Sequence, residues 1–219
     1  DSELKQQSEE FLQGVVTNAM PDYELRCPQV EMMGACSNLI EGGGVLIAEA
    51  GTGTGKTFAY LIPLILSGKK GIVSTRTINL QEQLFSKDLR FLSALKEFDY
   101  AIAKGRGNYL CLRRLNAYRA SNEEESGEYG RLVNWASKTE TGDVEDYPYR
   151  SDLWDRVYSD SDACKGKKCS SFNQCFYFKA RQRWSKAQIV VANHAIVSIN
   201  AMLSDDSKIL PKAEVLIID

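Results

Sequence analysis

The stretch Val45-Leu46-Ile47-Ala48-Glu49-Ala50-Gly51-Thr52-Gly53-Thr54-Gly55-Lys56-Thr57 decides how this chain folds. Its first four residues are aliphatic and predict a short buried strand. Residues 50–57 then follow the phosphate-loop pattern G-x-x-x-x-G-K-[ST], with Ala50 where the first glycine usually stands. An apolar run from about Lys56 to Leu66 predicts a helix directly after it. Each part has a physical task. Gly51, Gly53 and Gly55 let the backbone wrap an anion without Cβ clashes. The loop amides, including those of Thr52 and Thr54, and the helix start then face the phosphates. Lys56 is placed to reach the β- and γ-phosphates of ATP, and Thr57 to offer its hydroxyl to Mg²⁺.

Outward from this loop, aliphatic strands alternate with helices. Residues 3–18 carry the apolar spacing of an amphipathic helix, broken at Pro21, and residues 29–41 read as a second helix. Gly71–Thr75 and Tyr100–Ala103 read as strands with a helix of about 78–95 between them, and the pattern resumes at Ile189–Ala192 and Val215–Ile218. Strands that are aliphatic throughout indicate a parallel sheet covered on both faces. The fold class is therefore α/β, a phosphate-loop parallel sheet interrupted by an inserted module. The expected boundaries are 1–103 and 187–219 for the sheet domain and 104–186 for the insertion. The final strand runs into Asp219, which has the form of the acid that helps hold Mg²⁺ opposite such a loop. Four aliphatics and an aspartate are a weak signal alone; their place after the other strands strengthens it.

The chain has 219 residues, 43% of them apolar, and a formal net charge of -2. That accommodates one sizeable domain with an insertion. No apolar run approaches the length of a membrane span. The acidic, polar start DSELKQQSEEF is unlike a signal peptide, so a cytoplasmic protein is expected.

Six cysteines occur, and four of them, Cys111, Cys164, Cys169 and Cys175, lie in the insertion. In a chain of this size, outside a secreted disulfide scaffold, such clustering points to metal. Four thiolates suit a [4Fe–4S] cluster or a Cys₄ zinc site, and spacing alone leaves both open. Cys27 and Cys36 lie outside the insertion and read as core residues.

Charge is distributed unevenly. Residues 104–119 hold five basic residues and no acid, 163–187 hold seven and no acid, and 121–162 between them carry twelve acids against four bases. Basic stretches interleaved with aromatics such as Tyr109, Phe172, Tyr177 and Trp184 suit sequence-tolerant binding of single-stranded nucleic acid. Packing of these aromatics within a small module is the competing explanation for each of them. His194, the only histidine, lacks a partner histidine and reads as structural.

Several stretches together resemble the XPD/DinG branch of superfamily 2 helicases, most closely its bacterial DinG-like members. These are AEAGTGTGKTFAYLIP, IVSTRTINLQEQLF, KGRGNYLC, the run from Cys164 to Cys175 followed by VVANHAIV, and VLIID, which is similar to the start of a DEAH box. The resemblance covers nearly the whole chain. It implies a RecA-like motor domain in which Tyr23, Arg26 and Gln29 serve the adenine side and Lys56 and Asp219 serve catalysis. It implies that the four insertion cysteines bind [4Fe–4S] in a mostly helical module. It implies that Thr75, Arg76, Lys104, Arg106 and Tyr109 lie along DNA. The implied activity is an ATP-dependent 5′-to-3′ helicase or translocase on single-stranded, forked or looped DNA, in repair or replication. A second motor domain supplies arginines in this family, so these 219 residues alone are expected to hydrolyse ATP poorly. Two other readings remain at this point: a nucleotide-dependent DNA-binding switch without unwinding, and a zinc-stabilised nucleic-acid-binding module.

Overall fold

A computed structural model describes residues 2–51 and 53–219. The chain forms two compact units, one of residues up to Ile102 together with Lys186–Asp219, the other Ala103–Ser185.

The first unit is built on a parallel sheet of β1 (Gly71–Thr75), β2 (Tyr100–Ile102), β3 (Ile189–Asn193) and β4 (Val215–Ile218), in the order β2-β3-β1-β4. β1 is central, with Gly71 opposite Ile189 on one side and Val215 on the other. Its five residues are buried throughout, as the aliphatic pattern requires of a strand covered on both faces. The phosphate-loop helix, Lys56–Ser67, buries every residue from Phe58 to Ile65 and packs against the helix Cys27–Gly42. It ends at Gly68 in a left-handed conformation that glycine adopts without strain. Gly71 allows a close approach, because a Cβ there would lie 2.5 Å from the Leu64 side chain. Tyr23, Phe58 and Phe91 stack in series with ring centroids 5.9 Å apart in each pair.

The opening helix, Glu3–Glu10, continues through a π-helical turn, Phe11–Val16, and Thr17–Ala19. The helix after β1 does the same: Ile78–Gln83, then Leu84–Leu89, then Arg90–Leu95. Both read as single helices in the sequence, because a π turn is a bulge within a continuous helix and does not break it.

The expected strand Val45–Ala48 is corrected. These residues belong to no strand, and Val45 and Ile47 are 89% and 93% exposed. A strand needs a ladder partner, and a cavity of about 370 Å³ lined by Leu46, Ala48, Val215 and Ile217 lies between this segment and β4. Cys27 is likewise corrected from core to exposed, standing at the first turn of its helix, whereas Cys36 is buried there, with its thiol pushed up to about 11 by burial.

The second unit is mostly helical, with Leu112–Ala117, Glu123–Ala136, Trp154–Val157 and Phe176–Lys186 interspersed with 3₁₀ turns. Asn122 caps the longest of these by accepting from the Glu125 amide at 2.8 Å, and three glutamates in its first turn complement the helix dipole. Its core is small: Leu110, Leu115, Leu132, Val157 and Trp184 are among its fully buried side chains. Isolated bridges, Tyr109 to Asp143 and Leu110 to Tyr158, tie the segment before Cys111 to the middle of the module.

Candidate nucleotide site and cysteine cavity

The phosphate loop meets the sheet at the carboxyl ends of its strands, where ligands bind in open α/β folds. Gly53 and Gly55 have φ of 76° and 79°, a region that L side chains rarely adopt, and Gly55 caps the helix that begins at Lys56. The Thr54 hydroxyl donates to the Gly51 carbonyl at 2.9 Å and closes the loop on itself. Thr52 lies outside the described residues.

Asp219 continues the ladder of β4, its amide donating to the Ser74 carbonyl at 2.9 Å. Its carboxylate is held on both oxygens. Lys56 Nζ lies 2.7 Å from Oδ1, and the Tyr60 hydroxyl donates to Oδ2 at 2.9 Å. Burial, with the Asp219 charge adding to it, raises the Tyr60 hydroxyl far above the ordinary phenol range, so it stays a donor. Thr57 lines the same cavity as this hydroxyl. Lys56, Thr57, Thr75, Arg76, Asp88 and Asp219 line one cavity of about 340 Å³. Burial raises the Asp88 carboxyl, with Lys87 opposing. The residues read from sequence as catalytic therefore meet. Tyr60 and Asp88 were missed; the signal was a tyrosine one helical turn after Thr57 in an otherwise aliphatic helix.

On the other side of the loop, Tyr23, Arg26, Gln29, Gly53 and Gly55 line an open cavity of about 450 Å³. Gln29 is buried, and its amide donates to the Gly55 carbonyl at 2.9 Å and to the Tyr23 hydroxyl. A Cβ at Gly55 would lie 2.3 Å from Gln29 Nε2, so a side chain there would displace the Gln29 amide as well as strain φ. Arg26 donates to the Gly53 carbonyl. Both residues thus brace the loop while bordering the cavity.

At the end of β1, Thr75 is buried with its hydroxyl turned to the Thr77 carbonyl at 3.3 Å, and Arg76 is exposed. Thr77 caps the next helix by accepting from the Leu80 amide at 3.2 Å. His194 Nδ1 shares a 2.6 Å hydrogen bond with Ser74 Oγ, which ties the ring to β1.

In the second unit, Cys111, Cys164, Cys169 and Cys175 all line one cavity of about 180 Å³, with Phe172 and Phe178 packed beside them at a ring distance of 4.1 Å. The Gly166 amide donates to Cys164 Sγ at 3.4 Å. Burial disfavours the Cys164 thiolate, but that amide with Arg106 and Arg113 outweighs it, and the thiol sits below its ordinary value. Cys175 is raised by burial. Arg114 clamps the chain leading to Cys164, donating to the Tyr158 carbonyl at 2.9 Å and the Asp155 carbonyl at 3.3 Å. Arg106 lies 4.2 Å over the Tyr177 ring.

Two side chains read as facing DNA are placed in the module's interior. Lys104 is buried, 2.6 Å from the Asp143 carboxylate, and Tyr109 is buried against Tyr177. Sequence could not separate them from Arg106, because a buried lysine is marked only by a partner far away in the chain, here Asp143.

Residues 33–115 match the DEAD/DEAH box helicase family. The chain is 36% identical over 217 residues to the ATP-dependent DNA helicase YoaA of Escherichia coli (strain K12), covering 94% of this chain and 34% of that protein. It is 35% identical over 221 residues to the ATP-dependent helicase DinG of Mycobacterium tuberculosis (strain ATCC 25618 / H37Rv), covering 87% and 33%. It is 33% identical over 231 residues to the ATP-dependent DNA helicase DinG of Salmonella choleraesuis (strain SC-B67), covering 91% and 32%. Over nearly its whole length the chain is similar to DinG-like helicases, and over residues 33–115 to the DEAD/DEAH box helicases.

As a DinG-like chain it spans about a third of the length of the curated relatives it matches. The DEAD/DEAH match contains the phosphate loop, its helix, β1 and Cys111, and it stops before the other three module cysteines. Among the described residues, no helix is long and apolar enough to cross a membrane.

Proposed function

We propose that this DinG-like chain is part of a motor that couples ATP hydrolysis to 5′-to-3′ movement along single-stranded DNA and separates strands at forks or loops. The observation carrying this is the convergence of Lys56, Thr57 and Asp219 at the carboxyl ends of the parallel strands. A triphosphate lying on the loop of residues 51–57 places its β- and γ-phosphates beside Lys56. The oxygens of Thr57 and Asp219 are hard donors of the kind Mg²⁺ takes. Arg26 and Gln29 hold the loop open on the adenine side, and the Gln29 amide offers both a donor and an acceptor to a base. Arg76, exposed at the end of β1, and Arg106 are the proposed DNA contacts, with Thr75 positioning that strand end.

The four module cysteines would hold a [4Fe–4S] cluster. The donor set supports this: four thiols around one cavity, ringed by arginines that offset the negative charge of four thiolates. The donor set also suits zinc, and the resemblance to the DinG-like helicases is what favours the cluster. When bound, the cluster supplies metal–thiolate bonds that stabilise a module whose own core is small. The module then presents its basic segments to DNA. The setting is a cytoplasmic repair or replication protein.

The test is ATP turnover by the full-length protein with and without single-stranded DNA, alongside Lys56→Ala. DNA-stimulated turnover that Lys56→Ala abolishes is expected. Turnover that DNA leaves unchanged would overturn the motor reading, and DNA-stimulated turnover without strand separation would favour a nucleotide-driven switch.

A further inference from the structure

The side chain that ties the catalytic residues together is one to which no role in the reaction is assigned. Tyr60 is 3% exposed on the phosphate-loop helix, fixed by packing within an apolar run. It stands one turn after Thr57, on the same face. Its hydroxyl donates to Asp219 Oδ2 at 2.9 Å, and Thr57 lines the same cavity. Both side chains that offer oxygens to Mg²⁺ therefore border the cavity that this phenol lines.

We propose that Tyr60 is a positioning residue for Mg²⁺, its hydroxyl holding the Asp219 carboxylate in place across the cavity from Thr57. The inference rests on the nucleotide reading above.

The argument turns on which of Asp219's two partners is free to leave. Lys56 has a long flexible stem and a side chain 45% exposed. A polyphosphate on the loop draws its ammonium away from Oδ1 by direct charge attraction. Tyr60 has two rotatable bonds and a buried ring, so it stays. The carboxylate is then held through Oδ2, and through its backbone by the amide bond to Ser74, with Oδ1 presented to the cation. Among the described residues, Tyr60 is the partner that stays on that carboxylate when Lys56 turns to the phosphates. A group that orients a ligand of a metal commonly matters about 10-fold in metal affinity.

The experiment uses full-length protein, a fluorescent ADP, and titration of Mg²⁺ against an EDTA blank. In wild-type protein Mg²⁺ tightens ADP binding. Tyr60→Phe keeps the ring, so ADP affinity in EDTA is expected to be unchanged. The Mg²⁺ concentration needed for half of the tightening should rise about 10-fold. Superimposable Mg²⁺ titrations overturn the inference. Equal weakening with and without Mg²⁺ also overturns it, since that is what a packing role produces. If wild-type protein itself shows no Mg²⁺-dependent tightening, the nucleotide reading fails first, and the two failures are distinct. Should Tyr60→Phe not fold, 3-fluorotyrosine at position 60 serves instead: its fluorine resonance is expected to shift when Mg²⁺ joins bound ADP, and an unmoved resonance overturns the proposal.

Discussion

Lys56 and Asp219, 163 positions apart in sequence, form an ion pair of 2.7 Å between the start of the phosphate-loop helix and the end of β4. The pair closes a chain of contacts from loop to sheet, because Asp219 also accepts from Tyr60 and hangs from Ser74. Lys56 thus has two anionic partners available in turn, the carboxylate before nucleotide binds and the phosphates after.

The first prediction follows from that exchange. Lys56→Ala removes the only cation of the loop and should lower ATP turnover by about 100-fold or more, the cost typical of losing one preorganised charge-stabilising group. Steady-state hydrolysis by the full-length protein checks it; turnover within a few-fold of wild type would contradict the assigned role.

Gln29 is both a brace of the loop and the best candidate for reading the base. Replacing it with alanine leaves the Gly55 carbonyl with the Ala59 amide alone and removes the Gln29 amide from the cavity wall. Preference for ATP over GTP should fall by about 10-fold, the scale of one lost specifying hydrogen bond. Competition binding with the two nucleotides measures this directly.

Lys104 belongs to the module's interior, and its removal should act on stability. Breaking a buried pair leaves an uncompensated carboxylate, so Lys104→Met should destabilise the module by about 3–5 kcal/mol. Asp143 is already raised by burial, against the pull of Lys104, which shows how poorly this site solvates a lone charge. The double variant Lys104→Met with Asp143→Leu should recover most of the loss. Hydrogen exchange confined to residues 103–185 reads the effect, and a stable single variant with weakened DNA binding would instead restore Lys104 as a DNA contact.

Cys164→Ser tests the cysteine cavity. Iron and sulfide, about four of each per chain for a [4Fe–4S] cluster, should be lost together with the visible absorption. The module should loosen while ADP binding to the sheet domain persists. Zinc in place of iron would break the cluster proposal and leave the nucleotide site standing.

Much of this was legible in advance where the signal is local. The phosphate loop, the helix after it, β1, β3 and β4 each carry their pattern in under about twenty residues, the reach of periodicity arguments. Val45–Ala48 misled because aliphatic content marks the capacity to form a strand, while pairing depends on a neighbour. Tyr60 carried only a faint local signal, its place one turn after Thr57, because its partner, Asp219, is 159 positions away and only the fold joins them. The same holds for Lys104 and Asp143, where composition suggested a DNA surface and tertiary packing made a buried pair.

The most direct test of the central claim is strand displacement by the full-length protein on duplexes with either a 5′ or a 3′ single-stranded tail, with ATP and Mg²⁺. The account predicts displacement from the 5′-tailed duplex and none when Lys56 is alanine. Failure to displace either duplex while ATP is hydrolysed, or displacement untouched by Lys56→Ala, would contradict it.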